Sequence, residues 1–148
     1  MIAVLQRVKS ASVTVDEKIV GSINHGFLIL LGVSKDDTEY DAQFLRDKIS
    51  TFRIFPDDQK NMNLSIHDVK GSILVVSQFT LCGDWRKGRR PSFSTSAPPQ
   101  MAESLYEKFC EMLIKKNIPL ERGQFGAMMD VKLVNDGPVT FVMDSKEK

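Results

Sequence analysis

The 148-residue chain has only two histidines, His25 and His67, and two cysteines, Cys82 and Cys110. Neither histidine stands with a serine, a cysteine or a carboxylate at a spacing that marks a nucleophile and its base. Neither cysteine belongs to a CxxC pair or lies at metal-ligand spacing from a histidine, so no metal and no cofactor is expected. Chemistry falls instead to three stretches. The first is Ser77-Gln78-Phe79-Thr80-Leu81, which sets two hydroxyls and an amide where the apolar run Ile73-Leu74-Val75-Val76 ends. A buried strand that emerges this way offers polar groups at its tip, although Thr80 is also an ordinary β-former and Gln78 suits solvent. The second is Trp85 followed by Arg86, Lys87, Gly88, Arg89, Arg90, Pro91, Ser92 and Phe93. Consecutive cations beside aromatic rings suit phosphate contacts and base stacking at a single-stranded RNA end, the competing reading being a solvated loop. No acidic partner is expected for these cations, and the Gly-Lys-Ser/Thr ending of a Walker loop is missing. The third stretch is Asn135-Asp136-Gly137-Pro138-Val139-Thr140, whose Gly-Pro step reads first as a turn between strands.

These stretches need elements to hold them. Residues 4–15 alternate like a strand and meet a polar turn at Asp16-Glu17-Lys18, which predicts a hairpin into Ile19-Val20. Residues 27–33 are apolar at nearly every position, as in a central strand covered on both faces. Asp36 and Glu39, spaced like a capping box, begin a helix whose inner face is Ala42, Leu45, Ile49 and Phe52. A short extended piece follows up to Pro56, then a polar loop to Asn63, then the strand at residues 73–76. Residues 83–98 show little periodicity and form a long loop next to the first motif. Pro98-Pro99 opens a second helix with the stripe Met101, Leu105, Phe109, Met112 and Lys116, stopped at Asn117-Ile118-Pro119. Two final strands, residues 127–134 and 139–143, are joined through the Gly-Pro turn. Cys110, beside Phe109 on the helix, reads as a small core residue.

The order strands, helix, strand, helix, strands points to an α+β domain with a curved, mainly antiparallel, barrel-like sheet covered by two helices. Residues 1–148 read as one domain, long enough to bury a core without staples. With 42% apolar and 26% charged residues, the composition is that of an ordinary globular protein. The net charge of +1 announces no nucleic-acid binder, so any such assignment rests on local clustering. The longest apolar run is too short for a bilayer and the amino terminus shows no leader, so a cytoplasmic protein without a membrane partner is expected.

Taken together and in this order, Ser77-Gln78-Phe79-Thr80-Leu81, the basic segment ending at Phe93, residues 135–140 and Gln6-Arg7-Val8 resemble the D-aminoacyl-tRNA deacylase family of chirality-proofreading enzymes over the whole chain. The resemblance implies a homodimer of deacylase fold with its active site at the subunit interface, the 3′ end of aminoacyl-tRNA as partner, and hydrolysis of the ester joining a D-amino acid, or glycine, to the terminal adenosine. Ser77, Gln78, Phe79 and Thr80 would line the catalytic pocket. Gly137 and Pro138 would enter the partner subunit's pocket as a cis-proline element that points main-chain carbonyls at the substrate's α-centre, and Arg7 would hold that loop. Selectivity would then come from exclusion, which needs only rigid backbone on one side of a stereocentre. The family has been given Thr80 as a nucleophile; attack assisted by the substrate's own 2′-hydroxyl, with a backbone oxyanion site, suits the thin inventory of side chains better and leaves Thr80 to position. Arg86, Lys87, Arg89 and Arg90 would contact tRNA. The chain departs from the family pattern at Cys82, where an aromatic residue is common, and the departure touches packing at the pocket rim. The rival readings are a non-catalytic module that binds an RNA end or a nucleotide and, more weakly, a purely structural dimerising domain, for which the basic cluster has no use.

Overall fold

A computed structural model describes residues 1–147. Its frame is β1 (Ile2–Val15), which has a different partner for each half along one edge. Residues 2–8 pair antiparallel with β3 (Gly26–Gly32), and residues 11–15 with β2 (Lys18–Ile23). The hairpin between β1 and β2 is as predicted: Asp16 and Glu17 take the left-handed φ values of 47° and 64° that a two-residue connection requires. The other edge of β1 is followed along nearly its whole length by β8 (Asp130–Asp144). Beyond β3 the sheet continues with β6 (Ser72–Ser77) and β7 (Leu120–Arg122). Both of these pairings are parallel, which the sequence did not suggest, and β7 was not foreseen as a strand. A small ribbon of β4 (Phe55–Pro56) and β5 (Met62–Leu64) stands apart.

The sheet curls until its far ends meet. A Cβ placed on Gly21 of β2 would lie 2.5 Å from the backbone oxygen of Arg122 and 3.1 Å from Leu74 Cδ1, so glycine is what lets β2 close on β6 and β7. The curl divides the core in two. Phe27, Ile29 and Leu31 of β3, with Ile73 and Val75 of β6, face the helices, whereas Leu28, Leu30, Leu74 and Val76 fill the barrel interior. Each strand is thus apolar on both faces, the physical reason for the unbroken hydrophobic runs. At roughly 1.5–3 kcal/mol for each fully buried large side chain, these two layers supply the main stabilisation of the fold.

The helices α1 (Glu39–Thr51) and α2 (Pro99–Ile114) cover the outer layer and touch each other. The cap of α1 lies two residues beyond the predicted pair: the Asp41 carboxylate accepts the Thr38 N–H at 2.8 Å and the Thr38 hydroxyl at 3.1 Å, while Asp36 stays outside the helix. On α2 the buried face is Leu105, Tyr106, Phe109, Cys110 and Leu113, with Met101 and Met112 at its margin and Lys116 beyond the helix end in solvent. Tyr106 belongs inside because its hydroxyl donates to the Val75 backbone oxygen at 2.9 Å. Cys110 is fully buried, and burial pushes its thiol up to about 12. No helix among the described residues is long and apolar enough to cross a membrane.

Candidate active site

β6 delivers Ser77 to the end of the sheet, and there the chain tightens into a 3₁₀ turn, Phe79–Cys82. The turn rests on the end of β3 because position 32 has no side chain: a Cβ there would stand 2.9 Å from Leu81 Cβ and 3.0 Å from the Gln78 carbonyl oxygen. Gln78 N–H donates to Leu31 O at 2.8 Å, and the Thr95 hydroxyl donates to Cys82 O at 2.7 Å, so the turn is braced from both sides. Cys82 is buried behind it, its Sγ 3.4 Å from Ser34 Oγ. Cys82, the last residue of the turn, thus points its side chain inward toward β3 and Ser34.

The open side of the turn carries Phe79 and Thr80, both exposed, with Ser77 and Gln78 half-buried beside them. Phe79 meets Phe93 edge-on at 4.9 Å. Gln78 Nε2 donates to Thr80 Oγ1, so that oxygen already receives a hydrogen bond and the threonine proton is left to point elsewhere. An amide N–H cannot take up a proton, and no histidine or carboxylate bonds to Thr80 among the described residues. The backbone N–H groups of Phe79 and Thr80, at the start of the turn, have no acceptor among the described residues either.

The Gly-Pro step is not a turn between two strands. β8 is one strand, and it bulges: Gln6 pairs with Thr140 and Val8 with Asn135, so residues 136–139 bow out opposite Arg7 alone. The peptide Gly137-Pro138 is cis. Gly137 has φ of 155°, and a Cβ there would come 2.5 Å from Val139 N. Both ends of the bulge are pinned. Arg7, 8% exposed, donates from Nε to Asp136 O at 3.0 Å and from Nη1 to Ile54 O, and its Nε lies 3.3 Å from Asp136 Oδ2. Asn135 accepts Val139 N–H at 2.8 Å and donates to Val139 O and Thr140 Oγ1, each at 3.2 Å. Val139 is buried in the helix-side core, leaving Gly137 and Pro138 exposed at the crest. The clamp by Asn135 was not read from the sequence, although an Asn two residues before a Gly is a local signal for such bonding.

The structure does not bring the crest and the 3₁₀ turn of one chain together. Ser77 is in register with Leu31, Leu31 with Ala3 and Ala3 with Met143, whereas the crest stands opposite Arg7. The two motifs are therefore three strand spacings apart across the sheet and four residues apart along it, on the order of 20 Å. Two open hollows in the surface, one lined by Phe44 and Phe52 and one by Ile66 and Asn117, contain neither motif. In a single chain the turn is an open ledge.

The basic segment leaves this ledge as a closed loop. Asp84 and Ser92 exchange N–H···O bonds of 2.8 Å, and Gly88 bends the tip at φ 74°. One cation has an acidic partner after all: Arg86 grips Asp84 through Nε at 2.8 Å and Nη2 at 2.9 Å. The guanidinium holds the Asp84 carboxyl down at about 2. Lys87, Arg89 and Arg90 are exposed and form no ion pair among the described residues.

The family described as D-Tyr-tRNA(Tyr) deacylase matches residues 4–144. A D-aminoacyl-tRNA deacylase of an Exiguobacterium species is 59% identical over 97% of this chain and 98% of its own, and one of Thermotoga petrophila is 54% identical over 99% of each. A solved structure described as c-Myc DNA unwinding element binding protein superposes with a TM-score of 0.92 at 41% identity, over 97% of this chain and 98% of that one. A probable eukaryotic D-amino acid tRNA deacylase shares the fold, with a TM-score of 0.78 at 20% identity over the same shares. The expected fold class stands, and on the whole-length match of sequence and architecture the chain belongs to the D-Tyr-tRNA(Tyr) deacylase family.

Proposed function

We propose that the protein is a D-aminoacyl-tRNA deacylase: it hydrolyses the ester between a D-amino acid, or glycine, and the terminal adenosine of tRNA, releasing both, as a proofreading step in the cytoplasm. The observation that carries the reading is the separation of a polar ledge from a rigid Gly-Pro crest within one chain, in a member of this family. A crest about 20 Å from its own ledge has a use if it fits over the ledge of a second copy. The outer edge of β8, unpaired among the described residues and bearing exposed Val134 and Val142, supports a homodimer built on that side.

In the shared site the crest's main chain would lie against the α-carbon and leave no room for an L side chain. Gln78 orients Thr80 so that its proton is offered to the substrate. The free N–H groups of Phe79 and Thr80 are suited to receive the negative charge that develops on the ester oxygen, and the substrate's 2′-hydroxyl assists attack by water. Water's oxygen bonds to the carbonyl carbon, the bond to the ribose oxygen breaks, and that oxygen takes a proton. No side-chain base is needed.

The exposed cations favour one second reading, a module that holds an RNA end or a nucleotide without turnover. Incubating D-Tyr-tRNA and L-Tyr-tRNA with the protein decides between them: release of D-tyrosine alone is expected, and binding without release would overturn the enzyme. The shared site is tested by mixing a Gly137→Ala, Pro138→Ala chain with a Phe79→Ala, Thr80→Ala chain under conditions where subunits exchange. A heterodimer has one ledge-and-crest pair with both defects and one with neither, so the mixture should be more active than either parent alone, and a mixture no more active than its parents would mean that each chain builds its own site.

A further inference from the structure

Trp85 is the chain's single tryptophan, and it stands 79% exposed at the root of the basic loop. Its surroundings leave the ring uncovered. Phe79 and Phe93 take each other as partners, no ring contact involves Trp85, and no cation lies over its face among the described residues. Arg86, the cation next in sequence to the indole, is turned back onto Asp84 by two side-chain bonds. The paired N–H···O bonds between Asp84 and Ser92 hold the backbone next to the ring, so the indole is mounted on a closed base and not on a free tail. Lys87, Arg89 and Arg90 follow on the same short loop, with no acidic partner among the described residues.

An amphipathic ring exposed beside three exposed cations is the pairing of groups that holds single-stranded nucleic acid: the ring stacks on a base, and the cations meet the flanking phosphates. We propose that Trp85 is a stacking platform for an unpaired base of the tRNA 3′ end. This rests on the reading of the ligand as aminoacyl-tRNA. Trp85 lies five residues from Thr80, at most about 17 Å of extended chain. At a rise of about 3.4 Å per stacked nucleotide, that reach covers the last few nucleotides before the ester. The platform anchors the end and leaves the reacting bond untouched, so it contributes equally to binding before and during reaction.

A single tryptophan makes the ring its own reporter. Titrating the protein with uncharged tRNA, or with a short single-stranded RNA ending in CCA, should quench its emission at saturation. Trp85→Ala should weaken binding of the same RNA by about 5- to 150-fold, the range for loss of one stacked base, and Trp85→Phe should restore most of it. With D-Tyr-tRNA the alanine variant should raise KM and leave kcat nearly unchanged. If labelled RNA binds but the emission and the variant's affinity do not change, the platform is wrong, and continued D-selective hydrolysis would leave the deacylase standing. If the emission is quenched and neither D- nor L-Tyr-tRNA is hydrolysed, the platform stands and the deacylase falls. Emission that is shielded without RNA, and becomes solvent-exposed on dilution of the protein, would mean that a second copy covers the ring and would overturn the proposal.

Discussion

Thr80 offers a hydroxyl whose oxygen accepts a hydrogen bond from Gln78 and which bonds to no proton acceptor among the described residues. A nucleophilic threonine needs the opposite arrangement, a base that draws its proton away. Thr80→Ser should therefore keep most D-Tyr-tRNA hydrolysis in single-turnover kinetics. Thr80→Ala should slow it by only about 2- to 12-fold, the worth of one neutral hydrogen bond of ~0.5–1.5 kcal/mol. An acyl ester trapped on Thr80 would contradict this assignment. Arg7 acts at a distance from the chemistry, since its buried guanidinium holds the carbonyls of Asp136 and Ile54 in two directions. Arg7→Ala leaves both without their donor and should cost about 2–4 kcal/mol in urea denaturation. Arg7→Lys, a compact ammonium in place of a planar fork, should retain more stability than it retains activity, because its one nitrogen cannot stand at both the Nε and the Nη1 positions from which Arg7 reaches the two carbonyls.

At the scale of elements, the site depends on how closely a turn seats on a strand and how freely a loop presents its charge. Gly32→Ala drives a methyl against Leu81 Cβ and the Gln78 carbonyl oxygen, so the 3₁₀ turn must shift away from β3. Turnover of D-Tyr-tRNA should fall by about tenfold or more while the far-ultraviolet circular dichroism stays that of the parent, since misplacing a catalytic turn by a fraction of an ångström acts on the reaction before it acts on the fold. In the basic loop, Arg86 is held by Asp84 whereas Arg89 and Arg90 are not. Removing the charge of Arg89 and Arg90 together should flatten the slope of log Kd for tRNA against log salt by about 1.4 to 1.8, whereas Arg86→Ala should change it less. Filter binding across a salt series measures both. The neighbouring charges of residues 86–90 suggest four equivalent cations, and the distinction among them depends on the loop closing at Asp84 and Ser92.

Across the whole molecule, one polar cluster ties the start of β1, the start of α1 and the residues after β8. The Met1 α-ammonium donates to Asp37 Oδ1 at 2.6 Å and to Ser145 Oγ at 2.7 Å, and Asp41 Oδ1 accepts from Ser145 Oγ at 2.8 Å and Lys146 Nζ at 2.9 Å. Burial alone would raise the Asp41 carboxyl, but hydrogen bonds from Lys146, the Thr38 N–H, Ser145 and the Thr38 hydroxyl outweigh it and hold the group well below its ordinary 3.8. The unfolded chain takes up this proton near 3.8 whereas the native state resists it, so the stabilisation is complete above that pH and drains away as acid is added below it. A thermal scan should therefore give a Tm that is steady from pH 8 to about 5 and falls below about 4. Asp41→Asn should lower the neutral-pH stability by about 1–3 kcal/mol and lose part of the acid slope. Nothing local to residue 41 announces the cluster, because its members come from positions up to 105 residues away in sequence. The same division runs through the rest of the chain. Patterns with a short period were legible from the residues alone: the alternation of β1, the doubly apolar β3 and β6, the faces of two helices, the hairpin at Asp16-Glu17, and motifs specific enough to indicate a family. Composition also marked residues 135–140 as a place where the chain must depart from regular strand. Whether it reverses there or bulges and runs on depends on what lies alongside, and β1 supplies that answer by pairing with both flanks in one direction. The seating of the 3₁₀ turn over Gly32, the clamp of Arg7 on Asp136 and the distance from ledge to crest are decided in the same way, by strand order and register. Those are properties of which segments become neighbours, and no window of sequence contains both members of such a pair.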